Sequence, residues 1–208
     1  TIGYGIEKPK SEYFKSNIFL KRYNLKKKKY LLYISRFHKK KGLELLIKSF
    51  KNSLLINKDL ILVLAGPKNN YFKENIVKII QKNQLENKVL TTGPLYKSLK
   101  WQAFKNAYML CLTSHSENFG IVVAEALSCA TPVFISNKVN LHPSITKYKA
   151  GFVCNDNFES VNNKLKKIVS LKKNEYKFYS AQAIKCFNDN FEIERPVLNL
   201  LKVINKTK

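Results

Sequence analysis

Arginine is nearly absent from this 208-residue chain: Arg22, Arg36 and Arg195 are the only three among 38 basic residues. Proteins that read nucleic-acid sequence lean on the arginine fork for bidentate contacts, so a formal net charge of +24 does not point to such a reader. Lysine carries almost all of the excess, beside abundant Asn, Ile, Phe and Tyr, the pattern of A+T-rich coding. Solvated lysine faces are the first reading of the charge, attraction to an anionic membrane surface the second, and nucleic acid the least favoured. No apolar run approaches the length of a membrane span, and residues 1–15 hold no apolar stretch of the signal-peptide kind. Glycine is scarce as well, and neither a Walker loop, a dinucleotide-type glycine fingerprint nor a nucleophile elbow is present. Cys111, Cys129, Cys154 and Cys186 are scattered without a Cys-x-x-Cys pair, so free buried thiols in a reducing compartment are expected, not a metal site or disulfides. His38, His115 and His142 lie too far apart in sequence to make a ligand spacing. The chain opens on Thr1 and not on Met, so a fragment, a processed chain or half of a larger protein is expected.

What is present is an alternation of strand and helix signals, which argues for an α/β fold with a parallel sheet covered by helices. Tyr30 to Ser35, Leu60 to Ala65, Lys88 to Thr92, Met109 to Thr113, Thr131 to Ser136 and Gly151 to Cys154 read as about six strands. The second is a nearly continuous apolar run, as a strand buried on both faces requires. Helical spacing follows Gly42 over Leu43 to Phe50, and Asn70 to Asn83 carries a stripe of Ile76, Ile79 and Ile80. Ser98 is placed to cap a short helix ending at Asn106, and a last helix is expected near Ile193 to Ile204. In open parallel sheets ligands sit beyond the carboxyl ends of the strands. Ser35-Arg36, Gly66-Pro67, Gly93-Pro94 and Ser114 to Gly120 all fall there.

The most informative run is Ser114-His115-Ser116-Glu117-Asn118-Phe119-Gly120-Ile121-Val122-Val123-Ala124-Glu125-Ala126. Glu117 stands on a loop just before a helix, and Glu125 about two turns inside it. Phe119, Ile121, Val122, Val123 and Ala124 suit a helix packed on a sheet. Gly120 leaves backbone open for a ligand, and a helix N-terminus offers unpaired N–H groups that favour phosphate. A carboxylate accepts from paired hydroxyls such as those of a ribose or hexose. For Glu125 the alternative is a helix-surface carboxylate paired with a lysine. Upstream, Arg36 ends the first strand and Lys41-Gly42 opens the next helix. An arginine fork and a lysine point charge can clamp a diphosphate. The plainer alternative is that Lys39, Lys40 and Lys41 simply face solvent.

Two glutamates eight apart, with Phe119-Gly120-Ile121 after the first and Ala126 after the second, resemble the signature of the retaining GT-B glycosyltransferases (family 4-like), a group related to glycogen and sucrose synthases. Ile34 to Gly42 resembles the family's donor-diphosphate loop, with Ser35 where Gly is common, and Gly93-Pro94-Leu95 resembles the loop beneath the nucleotide base. Gly3-Tyr4-Gly5-Ile6-Glu7 resembles the stretch at the junction of the family's two domains. A departure lies at Ser136 to Ser144, where many members carry Gly-Gly and later Glu; Ser144 falls roughly at that Glu.

The resemblance implies one Rossmann-like half of a GT-B fold, with helices on both faces of the sheet. It divides the chain into an interdomain linker and lead-in (1–29), a nucleotide-sugar-binding domain (30–172) and C-terminal helices bracing an N-terminal domain that lies in cis or on another chain (173–208). It implies catalytic roles for Glu117, Arg36 and Lys41, and donor binding by Arg36, Lys41, Leu95, Asn118, Phe119, Gly120, Ile121 and Glu125. A nucleotide-diphosphate sugar is then the co-substrate, a glycan or lipid-linked molecule the acceptor, and no metal or other cofactor is expected. The setting implied is cytoplasmic, with peripheral attachment at the inner membrane face as an option. The contrasting expectation is a non-catalytic basic module that binds anionic polymer or membrane.

Overall fold

The apolar run Ile61–Ala65 is buried at every residue because it lies inside a parallel sheet covered on both faces, which is why it does not alternate. The computed structural model of the protein describes residues 5–26 and 28–193. Gly3-Tyr4 of the junction stretch and all of the expected last helix beyond Ile193 lie outside the described residues. The six strands are β1 (Tyr30–Ile34), β2 (Ile61–Ala65), β3 (Val89–Gly93), β4 (Met109–Leu112), β5 (Val133–Ser136) and β6 (Gly151–Cys154). Their order is β3-β2-β1-β4-β5-β6, with every neighbouring pair parallel.

The helices are α1 (Ile18–Arg22), α2 (Leu43–Ser53), α3 (Val77–Lys82), α4 (Lys97–Asn106), α5 (Ile121–Ser128), α6 (His142–Tyr148), α7 (Phe158–Val169) and α8 (Lys173–Asn190). Those that cross between strands fall on two faces, as right-handed crossovers on either side of β1 require. On one side α2 packs with α3 and α7; on the other, α4 packs with α1 and α5, and α8 with α5 and α6. The core includes Tyr30, Tyr33, Phe50, Phe104, Phe134 and Phe187, all fully enclosed. Tyr30 keeps its hydroxyl satisfied by donating to the Ala103 carbonyl at 2.7 Å, and burial holds its pKa well above the usual phenol range.

Some local expectations differ from the structure. Ser98 is not a cap: α4 starts at Lys97 with Tyr96 in the cap position and no side-chain bond to the helix end. Within the expected helix from Asn70 to Asn83, Phe72–Ile76 forms a π turn before α3. The wider turn rotates the buried stripe, so Phe72, Ile76 and Ile80 are enclosed while Ile79 is only half-buried. Residues before Tyr30 contribute Phe19 and Leu25 to the core. At the other end α8 buries Ala183, Cys186 and Phe187, and Ile6 pairs with Glu192 in a single parallel bridge. All four cysteines are free and buried. Burial pushes the thiols of Cys129, Cys154 and Cys186 up to about 12 and that of Cys111 higher still.

Candidate active site

From β1 the chain runs outward to β2 and β3, then returns to β4 on the other side of β1. Loops leaving the carboxyl ends of β1 and β4 diverge at such a reversal, and the crevice between them is where open α/β sheets take ligands. The first loop holds Arg36 and Lys41, and the second holds Glu117.

The β1 loop is fixed by packing. Phe37 is buried against Phe72 with ring centroids 4.6 Å apart, Tyr33 Oη donates to the Arg36 carbonyl at 3.2 Å, and Asn69 Nδ2 donates to the Phe37 carbonyl at 2.8 Å. Arg36 is left exposed. Lys39–Lys41 form a short 3-10 turn that ends at Gly42 with φ +60°. A Cβ on Gly42 would stand 2.0 Å from the Thr113 carbonyl oxygen, so only glycine permits this approach of the β1 and β4 loops. Thr113 Oγ1 donates to the Gly42 carbonyl at 2.9 Å, and the His115 amide donates to the Lys40 carbonyl at 2.7 Å. The three lysines therefore divide: Lys39 and Lys40 face solvent, while the Lys41 side chain is 15% exposed and its ammonium contacts Glu117 Oε2.

Glu117 is held from a third side by the loop after β5. Its amide donates to the Lys138 carbonyl at 3.0 Å, and its carbonyl accepts from the Asn140 amide at 3.1 Å. Gly120 caps α5 with φ +67°, and a Cβ there would crowd Glu117 Cγ and Val139 Cγ1, both at 3.3 Å. Its role thus includes seating Glu117 as well as opening the helix N-terminus. Ile121 is 54% exposed at that N-terminus and does not pack on the sheet; Val123 and Ala124, on the inner side of α5, take that place. Asn118 is exposed, and Phe119 is half-buried, edge-on to Phe191. A cavity of 320 Å³ opens among Arg36, Phe37, His38, Lys40, Lys41, Asn69 and Ser116.

Leu95 is buried after β3, on the loop that leads into α4. Glu125 faces α4 from α5 and meets Lys100 Nζ at 2.6 Å, with only 12% of its side chain exposed. So Glu125 does have a lysine partner, and the pair is largely enclosed. Sequence reasoning missed Lys100, because one lysine among so many carries no signal of its own. It also missed the clasp of Lys138 and Asn140, which acts through backbone atoms. Ser144 lies in the first turn of α6, half-buried. His115 Nδ1 pairs with Asp156 at 3.2 Å, and hydrogen bonding to that imidazole holds the Asp156 carboxyl below the usual range. Among the described residues no group of three or more His, Cys, Asp or Glu side chains is disposed to hold a metal ion.

A model of the family described as glycosyl transferases group 1 matches residues 15–185. The chain belongs to that family. Among curated relatives of this glycosyltransferase domain, it is 26% identical over 196 residues to the alpha-1,3/1,6-mannosyltransferase ALG2 of Dictyostelium discoideum, covering 86% of this chain and 46% of that protein. It is likewise 26% identical over 174 residues to a probable sucrose-phosphate synthase of Thermosipho melanesiensis, covering 83% and 40%. Among solved structures, Alr3699/HepE of Anabaena in complex with UDP and glucose superposes with a TM-score of 0.80 at 16% identity, covering 97% of this chain and 55% of that one. The fold is thus that of one Rossmann-like half of a GT-B glycosyltransferase. The glycosyltransferase domain spans about half the length of the relatives it matches. None of its described helices is long and apolar enough to cross a membrane.

Proposed function

We propose that this chain is the donor-binding half of a retaining glycosyltransferase, which moves a sugar from a nucleotide-diphosphate sugar to a glycan or lipid-linked acceptor. The observation that carries the reading is the contact of Lys41 with Glu117 across the β1–β4 crevice, beside the glycine-capped N-terminus of α5. In this reading the base lies over Leu95, the ribose hydroxyls donate to Glu125, and the diphosphate meets Arg36, Lys41 and the amides of Gly120 and Ile121. The transferred sugar lies beside Glu117, Asn118 and Phe119. As the bond from the sugar's anomeric carbon to the diphosphate oxygen breaks, negative charge gathers on the leaving group. Arg36 and Lys41 stabilise that charge, the part a metal ion plays in other transferases. The acceptor hydroxyl attacks the same face of the sugar, and its proton passes to the departing diphosphate. Glu117 positions the sugar and stabilises charge.

Orientation of the acceptor and exclusion of water need a second wall over the crevice. An N-terminal domain, in cis or on another chain, supplies it in this proposal, so this chain alone is not expected to turn over. A cytoplasmic setting, peripheral to the inner membrane face, fits a lipid-linked acceptor and a lysine-rich surface. HepE was solved with UDP, which makes UDP the first nucleotide to try.

Calorimetric titration with UDP, GDP, ADP and their sugar conjugates tests the reading. Saturable binding of one nucleotide is expected, weakened about ten- to a hundredfold by Glu125→Ala and by Arg36→Ala, as loss of a charge-assisted hydrogen bond predicts. Weak, salt-erased binding that ignores both substitutions would favour the basic, non-catalytic module instead.

A further inference from the structure

The described residues hold three lysine–carboxylate bridges, at Lys8–Glu192, Lys41–Glu117 and Lys100–Glu125. The first is open to solvent, with the Lys8 side chain 49% exposed. The other two are the enclosed ones, and they involve the two carboxylates expected to meet the donor. The chain has 38 basic and 14 acidic residues, and among the described residues most lysines are not paired with a carboxylate, so this placement is selective.

We propose that Lys100 is a positioning residue that fixes Glu125 for the ribose and makes the domain prefer ribonucleotides over their deoxy forms. The inference rests on the donor-binding reading given above. Lys100 sits in α4, one turn beyond the loop that carries Leu95, so a single loop and helix serve both the base and the ribose. Its ammonium takes Glu125 Oε1 at 2.6 Å and lies 4.7 Å from the centroid of the Trp101 ring. The aromatic face and the carboxylate together hold the ammonium in place. A carboxylate has about four acceptor sites, so Glu125 bonded at Oε1 can still accept from ribose hydroxyls. Its rotamer is meanwhile held by a partner on another helix. Without Lys100, the half-buried carboxylate loses the cation paired with it, and turning toward solvent becomes its best course. The hydroxyls then lose a preset acceptor.

Discrimination follows from the same geometry. A site built to accept from a hydroxyl penalises an analogue that lacks it, because an enclosed acceptor stays unpaired. Packing alone has no such signature: a residue that merely supports α4 against α5 would change the affinity for ribose and deoxyribose nucleotides alike.

The test compares the tightest-binding of UDP, GDP and ADP with its 2′-deoxy and 3′-deoxy counterparts, on the wild-type chain and on Lys100→Met, Lys100→Gln, Lys100→Arg and Arg36→Ala. The wild type is expected to favour the ribonucleotide by about tenfold or more over at least one deoxy form. Lys100→Met and Lys100→Gln should each reduce that preference to within about threefold while leaving deoxy affinity nearly unchanged. Lys100→Arg should restore it. Arg36→Ala should lower both forms together and keep the preference. Full preference in the Met and Gln variants, or an equal loss for both sugars, overturns the role of Lys100. Absence of saturable binding by the wild type overturns the donor-binding reading itself, and this inference with it. Thermal melts show whether each variant is folded, and the Gln variant carries the comparison if Met at this position destabilises the chain.

Discussion

Lys41 and Lys167 both belong to the lysine excess of this chain, yet their surroundings have little in common. Lys41 is mostly enclosed, reaches a carboxylate, and sits on a loop tied to β4 through Gly42, Thr113 and His115. Lys167 is exposed on α7, beside Lys149 and Lys164 in a shallow groove along the β6 edge, with no carboxylate paired to it among the described residues. A solvated cluster of this kind attracts any polyanion weakly and loses that attraction to salt. An enclosed, paired and pre-oriented cation can recognise one group in one pose. The net charge of +24 is shared by both regions, so charge alone says little about function; its placement in the fold separates them.

The strongest way to break the contrast is to disturb the frame of the crevice. Gly42→Ala adds a Cβ 2.0 Å from the Thr113 carbonyl at a positive φ. Strain and overpacking together should cost roughly 2–5 kcal/mol, a fall in Tm on the order of 10 °C, read by thermal denaturation. Next comes the clamp itself. Arg36→Ala combined with Lys41→Ala should weaken nucleoside-diphosphate binding by about a hundredfold or more, with a much smaller effect on the parent nucleoside, measured by calorimetry. Lys164→Gln with Lys167→Gln should leave that affinity within about twofold while lowering retention on an anionic resin.

A smaller effect concerns the core. In the unfolded chain the thiols ionise near 9.0, whereas in the folded protein Cys129, Cys154 and Cys186 are held up to about 12. Above pH 9 the unfolded state therefore releases protons that the folded state retains, and stability falls as pH rises toward 12. Denaturant midpoints taken across that range should decline, with native thiols slow to alkylate until unfolding.

Much of the frame was legible because its signals are local. Ile61–Ala65 is apolar throughout since both faces are covered, and Arg36, Lys41, Leu95 and Glu117 each follow a strand, so topology alone gathers them at one end of the sheet. The less legible features depend on tertiary contact. The Lys100–Glu125 pair joins residues 25 apart in sequence on two helices and exists only because α4 packs on α5. Ile121 reads as a core residue by type but emerges at the helix start, and the register of Phe72 is set by a π turn without a distinct sequence mark. Lys138 and Asn140 hold Glu117 by backbone groups, which any residue could supply.

Amide chemical-shift mapping of the isotopically labelled chain, titrated with UDP, GDP or ADP at about 0.15 M salt, where exposed charges are screened beyond roughly 8 Å, separates a donor site in the β1–β4 crevice from diffuse attraction to exposed lysines. Saturable shifts for one nucleotide are expected at Arg36 to Gly42, Leu95, Ser114 to Ile121 and Glu125, with α7 silent. Shifts that never saturate and spread across Lys149, Lys164 and Lys167 would contradict the donor site.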